Sequence, residues 1–305
     1  MLKKTLIKIS AVFIITCFFT ACNVVKRGEA IDYLLTENNF FINGQKKKSE
    51  ELTNLSFQKK NAALLGIPLR LHIYNLARPS KDSIFESWLQ KKPKRKQRLI
   101  SKLSEKQLNQ LKTSAVGFNR WLKNTGEAPV ILDSLKINKT KLNLERYYFA
   151  NGWFDRTVEY RVDTVGTKRA SLKFEIETGT PYTIGALSKR IDSPVIDTLY
   201  TTLKSDTYLK TGEQFKISNF DSERSRLTTA FRNSGVYHFA EEYIRYENDT
   251  IGTQNKVNVQ MQIQDRIIRN DDSIVKVPFQ SYRIKDVNIY TDANSENRSK
   301  TISDS

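Results

Sequence analysis

Apolar positions between residues 142 and 176 change period twice. Leu142, Leu144 and Tyr148 fall on successive turns of a helical pattern that also carries Glu145, and Gly152 stands where such a helix ends. Glycine there can take the left-handed conformation without a Cβ clash, which makes Gly152 a structural helix cap. Thr157-Val-Glu-Tyr-Arg-Val162 then alternates as a strand does, Asp163-Thr-Val-Gly166 turns the chain, and Leu172-Lys-Phe-Glu-Ile176 alternates again. The pattern predicts a helix, a glycine stop and a β-hairpin.

The same pattern returns. Leu144, Tyr148, Gly152 and Phe154 match Leu227, Phe231, Gly235 and Tyr237 at a constant offset of 83, and Asp163–Thr167 matches Asp249–Thr253 at 86. Two matched blocks in one order, separated by a three-residue insertion, mark an internal repeat. The second copy places strands at Glu242–Tyr246 and Val257–Ile263. Upstream of it, Tyr182–Leu187 reads as a strand and Pro194–Leu203 as a helix with proline in its first turn. Ser222–Asn233 reads as a second helix capped by Asp221 or Ser218, with Gly235 as its stop. The first copy has a strand from Leu34 to Gly44, a helix over Ser49–Lys60 and another over Thr140–Asn151.

Fold class is therefore α+β, with tandem β-α-α-β-β units. Domain 1 spans 22–179 with a helical insert at 61–139, and domain 2 spans 180–266. The insert holds Ile84–Leu89 and a helix over Ser104–Asn124, with Leu108, Leu111, Ala115, Phe118, Trp121 and Leu122 on one face and Gly126 closing it. Residues 267–305 read as a linker and the start of a further strand, Tyr282–Ile289, which echoes Tyr182–Leu187.

Residues 1–21 carry Lys3, Lys4 and Lys8 before an apolar run of 13 residues, Ile9–Ala21. At 1.5 Å per residue this helix is about 20 Å long, short of a ~30 Å hydrocarbon core, so it reads as a secretory signal. Phe19-Thr-Ala-Cys22 resembles a lipobox with Phe in place of the usual Leu, which makes Cys22 the lipidation site; an ordinary signal peptide is the alternative.

The formal charge of +17 changes meaning in this light. The signal takes away three lysines, leaving +14 on an exported chain, so nucleic acid is no partner and anionic lipid or acidic envelope surfaces take its place. Lys91, Lys92, Lys94, Arg95, Lys96 and Arg98 form an anionic-lipid patch candidate, or else a solvated linker held extended by Pro93. Two histidines, His72 and His238, and no metal-ligand or nucleophile spacing argue against an enzyme, a metal site or a cofactor. Asp163 and Asp249 sit in equivalent hairpin turns, and turn chemistry accounts for them.

A tandem β-α-α-β-β unit with a Gly-aromatic step resembles the POTRA domain. Leu64–Leu76, Gly126–Asp133, Tyr147–Asp155 and Glu223–Tyr237, behind a lipobox, resemble the periplasmic part of the BamA/TamA family of outer-membrane proteins in the lipoprotein (TamL) form of Bacteroidetes. The resemblance implies a non-enzymatic, membrane-anchored scaffold in outer-membrane protein assembly. Implied partners are an outer-membrane β-barrel, unfolded outer-membrane proteins and a TamB-like protein. Such relatives continue into a membrane β-barrel; a barrel of at least eight strands of ~9–11 residues does not fit after residue 266, so the chain reads as a truncated member, one piece of a split gene or a free-standing POTRA lipoprotein, with the strand at Tyr282 favouring truncation. The alternative is an envelope docking lipoprotein of adhesion or division type. Without an acidic stretch after Cys22, the expected location is the periplasmic face of the outer membrane, with the inner membrane as alternative. Partner binding by strand addition is expected at edge strands bearing Thr157, Glu159, Arg161, Glu242, Ile244 and Tyr246.

Overall fold

The structure, a computed structural model, describes residues 33–78, 85, 87, 88, 91–270 and 273–287. They fall in two compact units, one holding residues up to Tyr148 with Asp155–Thr178, the other holding Phe149–Phe154 with residues from Gly179 onward.

In the first unit, β1 (Leu34–Ile42) turns at Asn43-Gly44 into the short β2 (Gln45–Lys47). Both turn residues have positive φ, 48° and 77°, which suits Asn-Gly in a two-residue hairpin. Helix α1 (Glu50–Leu55) starts at Ser49, whose hydroxyl accepts the Leu52 amide at 3.4 Å. Then come α2 (Leu69–Leu76), α3 (Pro93–Ile100), α4 (Glu105–Thr125), α5 (Ser134–Ala150), β3 (Arg156–Thr164) and β4 (Arg169–Thr178). The sheet runs β2-β1-β4-β3, with β1 parallel to β4 and β3 antiparallel to it. Phe40, Leu52, Ile137, Leu144, Tyr148, Val158, Phe174 and Ile176 are buried.

The second unit comprises β5 (Thr183–Ile191), α6 (Pro194–Leu203), α7 (Ile217–Asn233), β6 (Ile244–Asp249) and β7 (Lys256–Ile263), in sheet order β5-β7-β6. A separate hairpin follows, β8 (Arg266–Asn270) with β9 (Ser273–Val277). Ile196, Leu227, Phe231, Ile244, Met261 and Ile263 share one core with Phe279.

Both sheets place the unit's first strand parallel to its last, with the middle strand outside. Both carry one extra residue near the start of the first strand: between Leu35 and Glu37 against β4, and between Ile184 and Leu187 against β7. The repeat is thus physical as well as textual. Leu144 and Leu227 are each wholly buried, and Gly152 and Gly235 adopt φ of 89° and 90°, as their positions predict.

Several boundaries differ from expectation. Helix α1 stops at Leu55 instead of Lys60, because Gln58 and Asn61 turn their side chains to main-chain groups at 128–133. Helix α5 begins at Ser134 instead of Thr140: the Asp133 carboxylate caps it by accepting the Leu135 amide at 2.9 Å. Helix α7 begins at Ile217, so Asp221 and Ser218 lie inside it and cap nothing; Asp221 pairs with Arg224 at 2.7 Å. The stretch read as linker after residue 266 contains the β8–β9 hairpin. Tyr282–Val287 lies in no strand, and Asn288 and Ile289 fall outside the described residues.

On α4, Leu108 and Leu122 are buried, whereas Leu111, Phe118 and Trp121 are exposed, so the expected apolar face is only partly covered. Its capping box joins Ser104 and Gln107, and Gly126 ends it with φ of −71°. Of the helix read at Ile84–Leu89, Phe85, Ser87 and Trp88 are helical, and the rest lies outside the described residues.

Candidate functional site: the open sheet edges

A sheet edge can bind an extended segment only where nothing already pairs with it. In the first unit the outer flank of β1 is closed twice. Near its end β2 pairs with it from Phe40 to Ile42. Near its start the Leu35 amide donates to the Val130 carbonyl, and the Leu132 amide to the Tyr33 carbonyl, both at 2.9 Å.

Three buried side-chain amides hold this cover and the insert behind it. Gln58 donates to the Ile131 carbonyl at 2.6 Å and accepts the Asp133 amide at 3.1 Å. Asn61 donates to the Ala128 carbonyl at 2.8 Å and accepts the Val130 amide at 3.1 Å. Asn119 treats Arg78 in the same way, accepting its amide at 2.7 Å and donating to its carbonyl at 2.9 Å. Each amide imitates one rung of a ladder. Sequence reasoning missed all three, and an isolated Asn or Gln in a polar stretch carries no signal for this role.

The opposite flank belongs to β3. Its nine residues pair on one side with β4, from Arg156 opposite Thr178 to Thr164 opposite Ala170. Val158 is buried, while Tyr160 and Val162 are 36% and 39% exposed at the sheet margin. Thr157, Glu159 and Arg161 lie on the alternate face, all exposed. Lys141 reaches Glu159 at 3.4 Å and Arg161 reaches Glu175 at 3.9 Å, solvent-facing pairs of small energetic weight.

In the second sheet β6 is an edge strand, and its Ile244 carbonyl accepts from the Arg224 guanidinium at 3.2 Å. Ile244 is buried and Tyr246 half-buried, with the Arg224 guanidinium 5.0 Å from its ring. Burial pushes the Tyr246 phenol well above its ordinary range, with the Glu223 carboxylate adding to the shift. Glu242 is not in the strand: Glu241–Tyr243 form a 3₁₀ turn that precedes it. The other flank is β5, whose beginning is covered by a loop. The Ile184 amide donates to the Glu213 carbonyl at 2.8 Å, and the Phe215 amide to the Tyr182 carbonyl at 2.9 Å.

Cys22 lies outside the described residues. The basic run is not an extended linker: Pro93 occupies the first turn of α3, where its fixed φ and missing N–H suit a helix start. Lys91 and Lys92 precede that helix, and they, Lys94 and Arg98 are exposed; Arg95 and Lys96 lie within it. His72 is in α2, and the exposed His238 stands beside Tyr237. Asp163 and Asp249 each stand at or next to the last residue of their unit's middle strand, β3 and β6, where Asp163 ion-pairs with Lys173 and Asp249 accepts the Ile251 amide at 3.0 Å. Among the described residues no group of three or more His, Cys, Asp or Glu could hold a metal ion, and no helix is long and apolar enough to cross a membrane.

No family model and no curated protein matches the sequence. Solved structures that align with this chain include POTRA domains 3–5 of BamA from Haemophilus influenzae, at 8% identity and a TM-score of 0.34 over 78% of this chain and 68% of that one. POTRA domains 1–3 of Omp85 from Anabaena align at 9% identity and a TM-score of 0.28, over 75% of this chain and 61% of that one. The N-terminal domain of Omp85 from Thermosynechococcus elongatus aligns at 11% identity and a TM-score of 0.25, over 45% of this chain and 55% of that one.

Proposed function

We propose that this chain is a non-enzymatic periplasmic scaffold that holds extended segments of outer-membrane proteins by adding them as a strand alongside β3. The observation that carries this reading is the asymmetry of the first sheet. One flank is closed by Gln45–Lys47 and by residues 130–132, and on the other no described main chain pairs with β3 from Thr157 to Thr164. Main-chain hydrogen bonds formed there require no particular client sequence, and Tyr160 and Val162 offer apolar contact beside them. The second sheet's β6 is the lesser site, with one carbonyl already occupied by Arg224.

Anchoring completes the proposal. Cys22 carries the lipid, which places the units at the periplasmic face of the outer membrane, and the exposed Lys91, Lys92, Lys94 and Arg98 meet anionic head groups. The resemblance to BamA/TamA proteins suggests a barrel partner and unfolded outer-membrane proteins as clients.

Hydrogen–deuterium exchange with an unfolded outer-membrane protein tests the reading. Slowed exchange at Thr157–Thr164 is expected, and unchanged exchange there under conditions of measurable binding overturns it. Palmitate labelling that disappears in Cys22→Ser tests the anchor.

A further inference from the structure

Between α1 and α2 the chain makes a second two-residue turn. Leu64 and Ile67 exchange both main-chain hydrogen bonds, each at 3.0 Å, and the central Leu65 and Gly66 have φ of 50° and 80°. The Asn43-Gly44 turn has the same form, with φ of 48° and 77°. Its first residue is asparagine, which tolerates the left-handed region, whereas a leucine there is strained by its Cβ. Core packing does not offset that strain, because Leu65 is 95% exposed, with Leu64 and Ile67 at 66% and 51%. The turn holds a strained leucine out in solvent between two more aliphatic side chains.

Hydrogen bonds tie this turn to the end of α4. The Ala62 amide donates to the Glu127 carboxylate at 3.0 Å, and the Glu127 amide to the Arg70 carbonyl at 2.9 Å. The Arg70 guanidinium donates to the Thr125 carbonyl at 3.3 Å. Helix α4 brings uncovered apolar residues of its own. Leu111, Phe118 and Trp121 fall on one stripe, and the two aromatic rings stack at 5.7 Å.

Charge is concentrated in the same stretch. Residues 52–126 hold 16 Lys and Arg against three acids, Asp82, Glu86 and Glu105, a net +13. Residues 23–51 and 127–305 together hold 31 against 30. Almost all the net charge left after residue 22 therefore belongs to the stretch that carries the exposed leucines and aromatics. An acidic protein surface matches the charge but must also hold a pocket fitted to the protruding turn. An anionic bilayer supplies phosphates for the cations, hydrocarbon for the tip and a boundary layer suited to Trp121.

We propose that residues 52–126 form a bilayer-binding face, whose Leu64–Ile67 turn enters the acyl region of an anionic leaflet while the lysines and arginines hold its head groups. The inference rests on the head-group contact proposed above for the basic run and adds insertion by a different segment. It needs neither the lipid on Cys22 nor capture at β3.

The full chain carrying Cys17→Ser and Cys22→Ser, so that one introduced thiol takes a dye, is reconstituted into vesicles of phosphatidylethanolamine and phosphatidylglycerol. A dye on Ala63→Cys, beside the turn, is expected to be quenched by brominated acyl chains; a dye on Gln45→Cys, beside the asparagine turn, is not. Adding Leu65→Asn should reduce the quench to the Gln45 level without lowering the thermal melt, because asparagine suits the left-handed position. No quench at residue 63, or a quench that survives Leu65→Asn, overturns the proposal. Burial of that dye at rising protein concentration without vesicles also overturns it, by placing a second copy on the turn. A dye on Gln97→Cys with a quencher on the head groups reads the basic run separately. Quenching there alone refutes insertion and spares head-group contact, and quenching at neither site refutes both.

Discussion

Thr140 and Glu223 occupy one position in the two units, 83 residues apart, and each accepts a main-chain amide at 3.0 Å, Thr140 from Phe57 and Glu223 from Tyr208. Both are almost fully buried, at 2% and 1% exposure. The donors belong to the loops that return from the first helical segment of each unit. Different side chains therefore perform one task, and the Glu223 carboxylate also pairs with the Arg226 guanidinium at 2.7 Å.

Removing the two acceptors should accordingly have unequal effects. Thr140→Val leaves one amide unsatisfied and costs about 1–3 kcal/mol. Glu223→Ala leaves that amide and a partly buried guanidinium unpaired, and costs about 3–5 kcal/mol. Urea unfolding of the two variants measures the difference; equal losses would show that Arg226 does not depend on Glu223.

Asn61→Ala should open the covered flank of β1. The substitution frees the Ala128 carbonyl and Val130 amide. A loss of about 1–3 kcal/mol is expected, with faster amide exchange at Leu35 and Leu132, which pair across that cover. Unchanged exchange at these two amides would show that the cover stands without Asn61.

Gly152→Ala strains a left-handed residue and pushes a methyl group against the Phe215 carbonyl. A destabilisation of at least about 1 kcal/mol is expected in the second unit, which holds the segment Phe149–Phe154. Gly212→Ala supplies the control, since its φ is also positive, at 87°, but open space surrounds it. A larger loss at Gly152 than at Gly212 isolates the contact from the backbone strain.

Val162→Lys should leave the fold intact and weaken client capture, because a charged margin discourages strand addition. Thermal melting and client pull-down check the two halves of this expectation. Capture as strong as in the unsubstituted chain would place the client elsewhere.

Burial and the nearby Glu51 carboxylate push the Tyr148 phenol up to about 12. Its folded value lies above the unfolded 10, so the stabilisation is fully present below about pH 10 and is lost as pH rises through about 12. Tyr147 behaves alike, at about 12, with a Glu51 hydrogen bond contributing. Urea midpoints should fall steeply over this alkaline window, and Tyr148→Phe should make the fall shallower.

Local chemistry is what made the two-unit plan legible. The repeat needed only Leu, aromatic and glycine at fixed spacing, because a buried helix face, a left-handed stop and a hairpin are each set by neighbouring residues. Gly152, Gly235 and Pro194–Leu203 follow from such terms, whereas the Asn43-Gly44 turn falls inside the stretch read as one strand from Leu34 to Gly44. Helix ends failed where distant groups competed: Gln58 and Asn61 left α1 to bond residues 128–133, and the Asp133 cap extended α5 backwards.

Which edge is open was likewise beyond the sequence, since covering β1 depends on residues 130–132 meeting Tyr33–Leu35 across nearly a hundred positions. Tyr182 and Tyr282 read alike in one dimension, yet Ile184 is buried and Ile284 is not. Periodicity and backbone stereochemistry specify the elements and their repetition. Long-range pairing decides which of their hydrogen-bonding groups and apolar faces remain free to bind, because that depends on what else the chain brings to the same place.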